Sequence, residues 1–190
     1  YTAQLEENNM PFSIRYPRGN GVMTEWKTEF QKIEIGTGRK IKEGEDIAII
    51  TIGAVGNFAV KACSELEAQG INAAHYDIRF VKPLDEKLLH EVFSKFDKVI
   101  TVEDGCIMGG MGSAVIEFMA EHNYSAHVKR LGIPDKIIEH GEQKELYAEC
   151  GYDANAIVKT AVELVATPSI SSKVGESNIR IRKATEKKIA

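Results

Sequence analysis

Ile47-Ala48-Ile49-Ile50-Thr51-Ile52 is an unbroken β-rich apolar run closed by Gly53. A strand with one wet face would alternate, so a continuous run of this kind belongs to a strand covered on both faces. Downstream, Val55, Ala59, Ala62, Cys63 and Leu66 fall on one helical face, and the pattern stops at Gly70, a residue suited to a left-handed helix end. Residues 71–78 read as a second buried strand. Asp85 then caps a helix whose apolar stripe is Leu88, Leu89, Val92, Phe93 and Phe96. A third buried strand covers 99–102; a glycine-containing loop (103–112) leads to a helix carrying Val115, Ile116, Met119 and Ala120. A fourth strand (127–131), a loop (132–141) and a short helix (142–150) stopped by Gly151 follow. Asp153 caps a last helix with Ile157, Val158, Ala161, Val162 and Val165.

Parallel neighbours need a crossover, so this alternation predicts an open three-layer α/β/α domain over 33–166 with a mostly parallel sheet of about five strands. Its leading segment, 33–41, contains Gly36 and Gly38 and is the candidate antiparallel edge strand. Further upstream, Phe12, Ile14 and Tyr16 alternate with Ser13 and Arg15 until Pro17, the period of a half-buried strand. Residues 1–32 therefore read as the end of a preceding domain plus a linker, and the chain as a piece of a larger protein. Residues 167–190 are Ser- and Lys-rich without period, a tail expected to be disordered or packed on a neighbour.

The net charge of -4 is uneven: from Pro168 onward it is +4, leaving -8 on the first 167 residues. An acidic body argues against nucleic acid as a partner, because phosphate binding needs clustered cations. Cys63, Cys106 and Cys150 form no Cys-x-x-Cys pair, which points to a reducing cytoplasm. No apolar run approaches the roughly 18 residues that span a bilayer.

In an open parallel sheet, ligands sit at the carboxyl ends of the strands. These ends are Gly53-Ala54, Asp77-Ile78-Arg79, Glu103-Asp104-Gly105 and Leu131-Gly132. The stretch from Glu103 to Ser113 holds glycines between a strand and a helix, yet it matches neither a dinucleotide fingerprint nor a P-loop. Two carboxylates at its mouth would repel phosphate, so tight packing and docking against another domain are the favoured reading. Glu103 and Asp104 are unsuited to sharing a proton, since adjacent strand residues point opposite ways. The five histidines show no ligand spacing; His140, in a loop, is the one candidate for a functional interface. Arg15 and Arg18 flank Pro17, and a planar guanidinium forms paired hydrogen bonds to phosphate or carboxylate. The Pro17-Arg18-Gly19 turn frees Arg18 to point off the strand end into a cleft, the alternative being an interdomain salt bridge.

Several strings occur in order: Arg15-Tyr16-Pro17-Arg18-Gly19-Asn20; Asp77-Ile78-Arg79-Phe80-Val81-Lys82-Pro83-Leu84-Asp85; Val102-Glu103-Asp104-Gly105 with Gly109-Gly110-Met111-Gly112-Ser113; and Gly132-Ile133-Pro134-Asp135 with Glu139-His140-Gly141 and Gln143-Lys144-Glu145-Leu146. The set, from Phe12 to Val165, resembles the carboxyl-terminal part of the 1-deoxy-D-xylulose-5-phosphate synthases of the transketolase superfamily. The resemblance implies a three-domain, homodimeric cytoplasmic transferase. It would use thiamine diphosphate and Mg2+ to condense pyruvate with glyceraldehyde 3-phosphate, feeding isoprenoid and thiamine biosynthesis. Residues 1–32 would end the pyrimidine-binding domain and 33–166 would be the transketolase C-terminal domain. It places the cofactor and metal motifs upstream, so no residue here is expected to be catalytic, cofactor-binding or metal-binding, and the chain alone is expected to be inactive. Arg18 alone matches a position that contacts substrate, through the phosphate of the aldehyde acceptor; Arg15 would be structural. Alternatives are the C-terminal domain of a pyruvate dehydrogenase beta subunit or a transketolase, or a stand-alone module binding ligand at the 109–112 loop.

Overall fold

The computed structural model describes residues 2–5, 11, 13, 16, 21–22, 25, 27 and 29–170. Apart from a single helical turn, α1 (Thr2–Leu5), its elements run β1 (Arg39–Lys42), β2 (Ile47–Ile52), α2 (Gly56–Ala68), β3 (Ala73–Asp77), α3 (Glu86–Lys95), β4 (Lys98–Cys106), α4 (Met111–Glu121), β5 (His127–Ile133), α5 (Gln143–Cys150) and α6 (Ala154–Val165). The sheet has the order β1-β3-β2-β4-β5. β1 pairs antiparallel with β3, and every other pairing is parallel. The five-stranded sheet with one antiparallel edge follows from the sequence pattern.

Period-2 geometry splits β2 between two cores. Ile47 and Ile49 face α2 and α6, meeting Ala59, Leu66, Ile157 and Ala161. Ala48 and Ile50 face α3 and α4, meeting Leu89, Val92, Met111 and Val115. Ile47, Ile49 and Ile50 are fully buried, each contributing about 2 kcal/mol by leaving water. All five residues of the predicted α2 stripe are buried. Asp85 and Asp153 cap as expected, accepting from the amides of Leu88 at 2.9 Å and Ala156 at 2.8 Å. The turn before β2 packs closely: a Cβ on Gly44 would stand 2.1 Å from the Ala74 amide nitrogen.

Three expectations need correction. The edge strand begins at Arg39 instead of residue 33, because Gly36 is left-handed (φ +80) in a turn closed from Thr37 N to Glu34 O, and the Gly38 amide is held by Asp85. β4 does not stop at residue 102 but continues to Cys106, where it pairs with Ile133 after a shift of register. The helix stripes are also rotated. Phe118 and Leu164 are buried, whereas Val162 is 40% exposed. The predicted strand at 12–16 and the tail beyond residue 170 lie outside the described residues, Ser13 and Tyr16 excepted. No helix among the described residues is long and apolar enough to cross a membrane.

Candidate functional site

From β2 the chain crosses to β3 on one side, and from β4 to β5 on the other. The carboxyl ends of β2 and β4 therefore diverge in connectivity, the place where an open α/β sheet leaves a crevice. A cavity of about 610 Å3 opens there, lined among others by Gly53, Ala54, Glu103, Asp104, Met111 and Tyr16. Two of the four predicted strand ends thus contribute. The other two do not: Asp77 is tied to Arg39 and to the Arg79 amide, and Gly132 is packed beneath the 105–107 segment.

β4 sends its last two acidic residues to opposite sides. Glu103 is only 5% exposed. Its Oε2 accepts from the Met111 amide at 2.8 Å and its Oε1 from the Gly112 amide at 2.9 Å. Those are the unpaired donors at the start of α4, so the positive helix end is met by a carboxylate from within. The neighbouring glycines make room for it. A Cβ on Gly110 would lie 2.2 Å from Glu103 Oε2, and one on Gly112 would lie 2.5 Å from Thr101 Oγ1. Arg130 fixes the loop by donating to the Ile107 carbonyl and to Ser113 Oγ.

Asp104 faces the other layer, where the Tyr152 hydroxyl donates to its Oδ1 at 2.9 Å. Burial, then the hydrogen bond to Asp104, pushes the Tyr152 hydroxyl far above the ordinary tyrosine range. That phenol is therefore a permanent donor. Tyr152 is buried beside Tyr147, with ring centroids 5.2 Å apart. The sequence pattern missed Tyr152, which sits between the stop at Gly151 and the cap at Asp153; a lone aromatic wedged between two helix ends was the available signal. His140 is exposed in its loop. Arg15 and Arg18 lie outside the described residues, and of that motif only Tyr16 is placed, at the cavity.

This topology and its glycine-bearing switch point have a counterpart among known families. A model of the transketolase C-terminal domain matches residues 36–157. The chain belongs to the transketolase C-terminal domain family. Similar curated proteins include the 1-deoxy-D-xylulose-5-phosphate synthase of Cytophaga hutchinsonii, 60% identical over 164 residues, covering 86% of this chain and 26% of the relative. The synthase of Bacteroides thetaiotaomicron is 51% identical over 177 residues, covering 93% of this chain and 27% of the relative. The chain thus spans about a quarter of the length of these relatives. A solved structure described as a split gene transketolase, inactive beta4 tetramer, is 32% identical with a TM-score of 0.67, covering 71% of this chain and 44% of that one.

Within this transketolase C-terminal domain, the amino end of α4 does not fit a diphosphate, because Glu103 already takes the amides that would bind it. Among the described residues, no group of three or more His, Cys, Asp or Glu is placed to hold a metal ion.

Proposed function

We propose that this chain is the carboxyl-terminal part of a 1-deoxy-D-xylulose-5-phosphate synthase, a homodimeric cytoplasmic enzyme that condenses pyruvate with glyceraldehyde 3-phosphate and releases CO2. In this reading residues 1–32 are the end of the pyrimidine-binding domain plus a linker, 33–166 the C-terminal domain, and 167–190 a tail. The observation that carries the reading is the 60% identity over 164 residues to a protein of that name. Likeness to the split gene transketolase, at 32%, is weaker, which favours the synthase over the transketolase. The site agrees in chemistry: its helix amino end holds an internal carboxylate, which suits a supporting domain better than a nucleotide module.

Thiamine diphosphate, with Mg2+, supplies the carbanion chemistry when bound, in domains outside this chain. The contribution here is Arg18, whose guanidinium grips the phosphate of the aldehyde acceptor. In the full-length protein, Arg18→Ala is expected to raise the KM for glyceraldehyde 3-phosphate on the order of tenfold, through loss of a charge-assisted bidentate contact, while the KM for pyruvate stays put. An unchanged acceptor KM refutes the assignment. The 190-residue chain alone, given thiamine diphosphate, Mg2+ and both substrates, is expected to form no sugar phosphate; sustained turnover would overturn the proposal.

A further inference from the structure

We propose that His90 and His122 form a two-histidine site for a divalent first-row transition ion, Zn2+ above all, held by the two Nε2 atoms, completed by water, and clipping α3 to the end of α4.

The two residues are far apart in sequence, and local structure brings their rings together. His90 lies on α3, and His122 is the residue at which α4 ends. Asn123 then takes a left-handed conformation (φ 56), a turn that folds the chain back and lets the Tyr124 amide donate to the Met119 carbonyl at 3.0 Å. Tyr124 is thereby stacked on Phe93, with its hydroxyl 2.9 Å from His90 Nδ1. His122 stacks on Phe118 with centroids 4.1 Å apart, and stands nearly perpendicular (87°) to His90 at 4.6 Å.

Each imidazole is anchored through Nδ1, and that decides which nitrogen is left over. His122 Nδ1 is 3.0 Å from the Phe118 carbonyl, which can only accept, so the proton is on Nδ1 and the neutral ring has its lone pair on Nε2. Tyr124 has Ser94 Oγ at 3.3 Å as an acceptor for its own proton, which lets His90 donate from Nδ1 and leaves the lone pair on its Nε2 as well. Neither Nε2 has a hydrogen-bond partner among the described residues. A histidine that donates from one nitrogen while offering the other is the usual state of a metal ligand.

The spacing agrees. With Zn–N about 2.0–2.1 Å and a ring nitrogen about 1.1 Å from its centroid, two imidazoles sharing one ion at angles of about 90° to 109° have centroids roughly 4.5 to 5.1 Å apart. These stand at 4.6 Å. Among the described residues no third His, Cys, Asp or Glu completes the set, so the remaining ligands are water. His122 is exposed and His90 half-buried, which gives the ion an entry path.

The test is calorimetric titration of the metal-stripped 190-residue chain with Zn2+ at neutral pH, beside His122→Phe and His90→Phe, which keep a ring in each place but remove the ligand. Wild type is expected to bind zinc, and each variant to lose at least about tenfold in affinity; His140→Ala is expected to change nothing. Thermal unfolding gives a second readout. Zinc should raise the midpoint of the wild type and leave that of His122→Phe unmoved, since only the former gains a bridge that the unfolded chain lacks. Because His122 is exposed, that variant serves if His90→Phe fails to fold. Ni2+ should bind more tightly than Co2+, and Mg2+, which takes oxygen ligands, should not compete. Lowering the pH to about 5 should release the metal, as protons take the same nitrogens. Zinc affinity weaker than about 1 mM would overturn the proposal. So would binding that the phenylalanine variants retain in full, as a site on Cys106 or His140 would give, or a loss confined to one of two folded variants.

Discussion

Glu103→Ala is expected to lower the unfolding free energy by about 3 to 4 kcal/mol, the sum of a lost helix cap, a lost charge at a helix amino end and a small cavity. The side chain is 5% exposed. Its oxygens satisfy the amides of Met111 and Gly112, so truncation leaves two buried donors without an acceptor. Relaxation cannot easily close the gap, since Gly110 already approaches the carboxylate, and Gly132 the Cγ of the same side chain, closely enough that a Cβ on either would crowd it. Glu103→Gln keeps the shape but sets an amide donor against a backbone donor, and about half of that loss is expected. Urea unfolding at neutral pH measures both. A loss below about 1 kcal/mol for the alanine variant would mean that water replaces the carboxylate and that the α4 cap is not structural.

The same residue explains where sequence reading succeeded and where it stopped. The run from Ile47 to Ile52, the α2 stripe and the caps at Asp85 and Asp153 were legible because each signal is local: a period, or an acceptor next to its donors. The continuation of β4 through Glu103, Asp104 and Gly105 was not, because those residues look like a loop and are carried as strand only by tertiary pairing at either end, Glu103 with Ile52 of β2 and, after a shift of register, Cys106 with Ile133 of β5. Buried Glu103 is favourable only once α4 starts above it, a tertiary circumstance invisible to composition. The α4 stripe was misread because Val115, Ile116, Phe118 and Met119 are apolar around most of the helix, leaving period alone unable to choose the face. The separation of Glu103 from Asp104 was deducible from strand alternation, and they do face opposite layers, α4 and Tyr152. The partner Tyr152 required the fold.

A second large effect is expected with pH, and it comes from His75. The ring is 2% exposed on β3, with Nε2 2.8 Å from Thr51 Oγ1. The Thr51 hydroxyl donates to the Tyr76 carbonyl, so the ring donates from Nε2 and leaves Nδ1 as a bare acceptor. Protonation would place a charged N–H at Nδ1 with no acceptor, away from water. Burial, chiefly, lowers the His75 pKa to about 4 from an ordinary 6.5; Asp77 opposes this, and Arg39 adds to it. Because the folded value lies below the unfolded one, the unfolded chain binds the extra proton between them, and stability falls with pH across that window. The contribution is whole above 6.5 and is lost as pH drops towards 4, amounting to about 3 kcal/mol at 1.36 kcal/mol per unit. Many carboxylates titrate in the same range, so the measurement is the difference between wild type and His75→Gln, which cannot titrate. Urea unfolding from pH 7.5 to 4 should give curves that converge as the wild type loses its histidine term. Parallel curves would mean that the imidazole takes up its proton in the folded protein at little cost, and that water reaches Nδ1 beneath α2.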